Sequence, residues 1–313
     1  LDKKILMKIK LPDELDFLRV GRLPQKSSSL RVDDKVVFLT GATNGIGYVT
    51  ARLFASRGAT LIILVRNENS GIALIEELKA EFGTKSSLYI ADFERPDQVS
   101  EAIDQVLEKE EKIDILINNA GAHRTVKKIL DSNIEATFTV NHLASFLITK
   151  KLLPLIEKGS EPRIININSE GHRFGDVDLT DLNWSKRFYT GLRSYGASKT
   201  AQLHAMYVWK PKLAEKGITI NSMHPGAVKS NIGNHSGKLY NWYLKYIITP
   251  TLRKPEISAN AIYYLATSPE MKGVSGNFYN LTNIEKPAPH AQKSEISQKV
   301  FDKTLELITD GKN

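Results

Sequence analysis

The sequence predicts an α/β fold: a doubly wound, mainly parallel seven-stranded sheet with helices on both faces, in a single domain. Three observations predict it. From Lys35 onward, short β-rich runs alternate with helical patterns, and a parallel sheet with crossover helices buries both kinds of element. Most of the β-rich runs are continuously apolar, as strands covered on both faces must be. The first run also leads directly into a glycine-rich turn and a helical pattern, the local shape of a nucleotide-binding unit.

Each element has its own warrant. Residues 1–34 read as an extension, broken by Pro12, Gly21, Pro24 and the Ser27-Ser28-Ser29 cluster. Strands are expected at residues 36–40, 60–65, 87–90, 113–118, 163–167, 219–224 and 277–280. Between them, Ile46, Val49, Leu53 and Phe54 share one helical face, and so do Val99, Ile103, Val106 and Leu107. Residues 35–285 form the expected single domain. Residues 286–313 form a tail with a helix around 295–308.

Composition narrows the function classes. The 313 residues include no cysteine, which excludes a disulfide framework, a thiolate metal site and a cysteine nucleophile. The formal charge is +8, divided as +3 over residues 1–35, −1 over 36–200 and +6 over 201–313. No run of five like charges occurs, so nucleic acid is not the expected partner. No stretch approaches the ~18 apolar residues of a spanning helix. The first eleven residues are too charged for a secretory signal. The expected location is the cytoplasm, with peripheral contact at a membrane left open. The chain opens on Leu1 rather than Met, so an upstream anchor is also left open.

The turn after the first strand reads Thr40-Gly41-Ala42-Thr43-Asn44-Gly45-Ile46-Gly47. Glycines allow close backbone approach to a pyrophosphate, and the following helix offers free N–H groups and a positive dipole end. At the end of the second strand stand Val65 and Arg66, where many NAD enzymes carry a carboxylate for the ribose 2′-hydroxyl. A guanidinium there pairs with a 2′-phosphate instead, which favours NADP over NAD. Asp92-Phe93 follows the third strand, and Asn118-Asn119-Ala120-Gly121 closes the fourth.

Tyr195 and Lys199, at positions i and i+4 of a helical pattern, put a phenol and an ammonium on one face. A neighbouring ammonium favours the phenolate and lowers the phenol's pKa. Ser169 lies just past the fifth strand, and Asn141 lies in the phrase Val140-Asn-His-Leu.

The G-x-x-x-G-x-G spacing, the N-N-A-G phrase, the order Asn141, Ser169, Tyr195, Lys199 and the phrase His224-Pro225-Gly226 resemble the short-chain dehydrogenase/reductase family over about residues 33–285. The longer interval from Ser169 to Tyr195, with Asp178-Leu-Thr-Asp-Leu-Asn-Trp184 inside it, resembles the retinol dehydrogenase and WW-domain oxidoreductase branch. Asn168 replaces the first serine of the family's Ser-Ser pair. The resemblance implies a Rossmann-type fold and NADPH as cofactor. It also implies a small hydrophobic aldehyde, ketone or alcohol as substrate. Tyr195 would be the acid/base, Ser169 would stabilise the substrate oxygen, and Lys199 would tune Tyr195 and grip the nicotinamide ribose. Asn141 would hold a water through its helix backbone. Gly41, Thr43, Asn44, Gly45, Ile46, Gly47, Arg66, Asp92, Phe93, Asn119, Ala120, Gly121, Pro225, Gly226, Val228 and Ser230 would bind the cofactor. Homo-oligomers through the helices flanking the site are common in the family.

Seven histidines show no metal-ligand spacing, so no metal is expected, and His142 and His172 read as structural or substrate-lining. Leu239, Trp242, Tyr243 and Tyr246 fall at helical spacing in an unusually apolar segment. A packed helix, a substrate lid and an interfacial membrane patch all fit, and its place after the sixth strand tilts the reading to a lid over residues 231–252. A protein that binds the cofactor without turnover, as sensor or scaffold, is the alternative function.

Overall fold

The computed structural model describes residues 17–21, 23–226 and 254–310. Val228, Ser230 and the expected lid at 231–252 lie outside the described residues. A single sheet runs through the molecule in the order β3-β2-β1-β4-β5-β6-β7-β8. Its strands are β1 Val36–Thr40, β2 Thr60–Val65, β3 Ser86–Ile90, β4 Ile115–Asn118, β5 Arg163–Ile167, β6 Thr219–His224, β7 Phe278–Asn280 and β8 Asn283–Glu285. The first seven pair in parallel, and β8 pairs antiparallel with β7.

The sheet therefore has eight strands rather than seven. The added strand is three residues long and follows a two-residue connection, Leu281-Thr282. Leu281 adopts a positive φ of 56° without being glycine, so the turn carries none of the usual hairpin signal. Tertiary contacts hold it there: Leu281 is fully buried, and its N–H donates to His224 O at 2.9 Å.

The helices are α1 Gly45–Ser56, α2 Glu68–Phe82, α3 Pro96–Lys109, α4 Ala144–Ile156, α5 Gly191–Ala214, α6 Pro255–Thr267 and α7 Ser294–Asp310. Apolar side chains fill both faces of the sheet. One core joins alternate strand residues such as Phe38, Ile62 and Ile164 to α3, α4 and α5. The other joins Leu39, Leu61 and Ile165 to α1, α2 and α6. This two-sided burial is the reason the strands read as unbroken apolar runs.

The N-terminal residues and the tail both pack on this frame. Tyr263 of α6 donates to Leu30 O, and Thr282 N donates to Gln25 Oε1 at 3.0 Å. Helix α7 lies along α5, with the Phe301 ring 5.0 Å from both Phe146 and Trp209. Helix α5 is consequently buried on nearly every side, which accounts for its lack of a clear polar face.

Candidate active site

The order β3-β2-β1-β4 reverses direction between β1 and β4, and a crevice opens there beyond the carboxyl ends of the strands. The glycine-rich turn lies at this point. Thr40 Oγ1, buried at the end of β1, accepts from Asn119 N at 2.9 Å and Ala120 N at 2.8 Å. The Asn119 side chain answers by donating to Thr40 O at 2.8 Å and Gly41 O at 3.0 Å. These four bonds lock the turn to the end of β4. Any side chain at Gly47 would overlap Gly41 O, so α1 approaches the turn only because that position is glycine. Gly41 and Gly45 have φ of 69° and 55°, conformations disfavoured for L side chains.

Those features fit a pyrophosphate. Nothing lies within 4 Å of where a Gly45 β-carbon would stand, and the Asn44 side chain does not cap α1. The first N–H groups of the helix thus lack a side-chain cap beside an open cradle. Thr43 and Ile46 fall within the same turn. Arg66 is exposed directly after β2 and makes no hydrogen bond or ion pair among the described residues. Asp92, half-buried after β3, accepts from Glu94 N at 3.0 Å. Phe93 is buried in the core. Pro225 and Gly226 leave the end of β6, and Pro225 O accepts from Ser258 Oγ.

A second cluster lies across the crevice. Asn141 occupies a π-helical turn, Thr139–Leu143, just before α4. Such widened turns re-aim a side chain that a regular helix would point elsewhere. Its amide accepts from Ala122 N at 2.7 Å and donates to Ala122 O and Ser198 Oγ at 2.9 Å. The side chain therefore links the loop after β4 to α5, while its backbone carbonyl accepts from Ser145 Oγ at 3.0 Å. Ser169 caps the short 3₁₀ helix Glu170–Phe174, its Oγ accepting from Gly171 N at 3.0 Å. Lys199 is 3% exposed and donates to Ile167 O at 2.7 Å, with its Nζ 5.8 Å from the centre of the Tyr195 ring. The Gly121 backbone lies beside both Asn141 Oδ1 and Lys199 Nζ.

The electrostatics differ from the expectation. Burial pushes the Tyr195 phenol above its usual value, and a hydrogen bond with Ser169 reverses part of that rise. Burial also lowers Lys199 to about 7. An ammonium removed from water gives up much of its charge near neutral pH, so in the protein alone it does not bring the phenol down.

Several residues of this site carry no sequence pattern. A β-carbon at Gly171 would lie 2.7 Å from two ring carbons of Tyr195, so this glycine seats the ring. Glu170 bonds Arg173 at 2.6 Å, and burial beside Glu285 pushes its carboxyl up to about 8. His123 lays its ring 5.1 Å from that of Tyr195. His172 is structural: Nδ1 donates to Ser169 O at 2.7 Å and Nε2 accepts from Ala288 N at 3.0 Å. His142 lies at 2.8 Å from Thr304 Oγ1 of α7. Among the described residues, no group of three or more metal-ligating side chains comes together. No described helix is long and apolar enough to cross a membrane.

Residues 35–240 match the family model described as short chain dehydrogenase. The chain belongs to the short-chain dehydrogenase/reductase family. Members of that family bind a nicotinamide cofactor and act as oxidoreductases on CH–OH groups, and this chain falls in the retinol dehydrogenase-like branch. It is 30% identical to retinol dehydrogenase 13 of Homo sapiens over 298 residues, covering 94% of this chain and 89% of that protein. Among solved structures, it resembles a 7α-hydroxysteroid dehydrogenase complexed with NADH and 7-oxo glycochenodeoxycholic acid. That likeness has a TM-score of 0.63 at 24% identity, over 82% of this chain and 97% of that one. A short-chain dehydrogenase of Burkholderia cenocepacia in complex with NADP gives 0.64 at 24% identity, over 81% and 98%. The fold is thus common to structures holding either dinucleotide.

Proposed function

We propose that the chain is an NADP(H)-dependent oxidoreductase that interconverts a hydrophobic aldehyde or ketone and its alcohol, with Tyr195 as acid/base. The observation that carries the reading is the cluster of buried Lys199 with half-buried Tyr195 and Ser169 opposite a turn shaped for pyrophosphate. Arg66 supports the phosphorylated dinucleotide, because its exposed guanidinium has no competing carboxylate among the described residues. The retinol and hydroxysteroid substrates in the relatives' names support an apolar one here.

Gly41, Gly45, Gly47 and the N-terminus of α1 would hold the pyrophosphate. Asn119, Ala120 and Gly121 would line the same crevice, with Pro225 and Gly226 leaving β6. When bound, the nicotinamide supplies the hydride at C4 and, in its oxidised form, a positive charge beside the phenol. The raised pKa of Tyr195 keeps the proton on Oη until a carbonyl oxygen arrives. In reduction that proton would pass from Tyr195 Oη to the substrate oxygen. In oxidation the phenolate takes the proton back. Ser169 Oγ accepts from Gly171 and is hydrogen-bonded to Tyr195, so its hydroxyl would stand within reach of the same substrate oxygen. Lys199, anchored by Ile167 O, keeps further N–H bonds for a ribose hydroxyl.

Purified protein is assayed with NADPH against aliphatic, retinoid and steroid carbonyls. Turnover is expected, and Tyr195→Phe is expected to lower it by about 10²–10⁴-fold while cofactor still binds. Undiminished turnover in that variant would remove Tyr195 from its role. Cofactor binding with silence across the whole panel would favour a sensor or scaffold.

A further inference from the structure

We infer that the rim of the Tyr195 site docks on an anionic lipid surface. The surface is assembled from three segments that meet above the site. The first follows His123, whose ring touches Tyr195, and runs Val126-Lys127-Lys128-Ile129. The second is Phe174, at the end of the 3₁₀ helix that Ser169 caps. The third runs from Lys186 to Arg193 and enters α5 one turn before Tyr195. Tyr189 Oη donates to Arg124 O at 3.1 Å, and Lys127 Nζ donates to Trp184 O at 2.9 Å. The first and third segments are therefore held together. Gly175 packs its backbone on Arg193 and Gly196, which brings Phe174 to the same place.

Large apolar side chains stand out into water along this rim. Val126 is 72% exposed, Phe188 79%, Phe174 53%, Leu192 49% and Ile129 37%. Half of the ten large exposed hydrophobics among the described residues gather here, and clustering rather than exposure alone marks a contact surface. Cations are interspersed among them. Lys127, Lys186 and Arg193 have no carboxylate partner among the described residues, whereas Lys128 pairs with Glu94 and Arg187 with Asp181. Asp176 is an exposed acid nearby.

Apolar tips ringed by unneutralised cations match acyl chains below phosphate and carboxylate headgroups. A second copy of this chain is a poor match. A two-fold interface would set this patch against itself and bring like charges together. The docking rests on the proposed function only in its consequence, which is that a lipophilic substrate would pass from the bilayer into the site without crossing water.

Flotation with vesicles tests the docking without turnover. The full chain is mixed with phosphatidylcholine vesicles, with and without about a third phosphatidylserine. Binding to the anionic vesicles is expected, weakened by salt. Phe188→Ser and Val126→Ser should each weaken it about ten-fold, and Lys186→Ala about five-fold, with NADPH binding unchanged in all three. Parent-like binding in these variants would assign the interaction to the basic ends of the chain and overturn the proposal. Absence of vesicle binding, or self-association lost in Phe188→Ser, would overturn it as well. A chain that floats yet reduces no carbonyl keeps the docking and loses the catalytic reading; the reverse result does the opposite.

Discussion

At Gly171 and Tyr195 the site depends on a side chain that is missing. The Gly171 backbone lies so close to the phenol ring that a β-carbon would meet two ring carbons at 2.7 Å, and its N–H also fixes Ser169 Oγ. Gly171→Ala must push the ring away from the substrate oxygen, and displacements near 1 Å cost about a hundred-fold in rate. Turnover is expected to fall by that order with NADPH binding retained, and equal turnover would show that the ring has room to adjust. Arg66 acts on a different quantity. Charge-assisted hydrogen bonds contribute about 1.5–3 kcal/mol, so Arg66→Ala should weaken NADPH binding by about ten- to a hundred-fold and leave NADH unchanged. Titration of both nucleotides measures it, and an unaltered preference would return Arg66 to the role of a solvated surface residue.

The elements explain how these residues meet. Asn141 reaches Ala122 and Ser198 because the helix before α4 widens into a π turn. The resemblance singled out Asn141 without showing that it would join a loop to α5. Helix α7 was legible as a helix but not as part of the core. Its Phe301 completes an aromatic cluster with Phe146 and Trp209. Phe301→Ala is expected to destabilise the protein by about 3–5 kcal/mol, read as a lower denaturant midpoint with an unchanged slope. A midpoint equal to that of the parent would mean that α7 adds little to the fold. This helix also covers α5, where Trp209 meets Phe301 and His204 bonds Ser297.

On the scale of the molecule, the sheet order makes the crevice and the buried polar groups set the pH response. Three histidines are held neutral inside the fold, mainly by burial: His142 and His172 are lowered to about 3 and His204 to about 4. An unfolded histidine titrates near 6.5, so the unfolded chain binds more protons below that value and stability falls with acid. Their contribution is complete above pH 6.5 and lost as pH drops toward 3–4. Glu170, raised to about 8, has the opposite sign: its contribution is present below the usual glutamate range and lost as pH rises through 8. The melting temperature is expected to fall from pH 6.5 to 4, with a shallower slope in His204→Gln, whose parent ring bonds Ser297 of α7 at 2.8 Å. A flat profile in the parent, or identical slopes, would contradict this.

Apolar periodicity determined seven strands and their order along the chain, because two-sided burial leaves unbroken apolar runs that need no partner to be seen. The glycines of the turn and the pairing of Tyr195 with Lys199 were readable as candidates from local spacing, whereas Ser169 and Asn141 were candidates only through the family resemblance. Only the tertiary structure decided the rest. It added β8, where burial of Leu281 outweighs the absence of a turn signal. It turned Phe93 into the core. It seated Tyr195 on Gly171 and set the charge states of Tyr195 and Lys199, because close approach and desolvation arise between segments far apart in the chain.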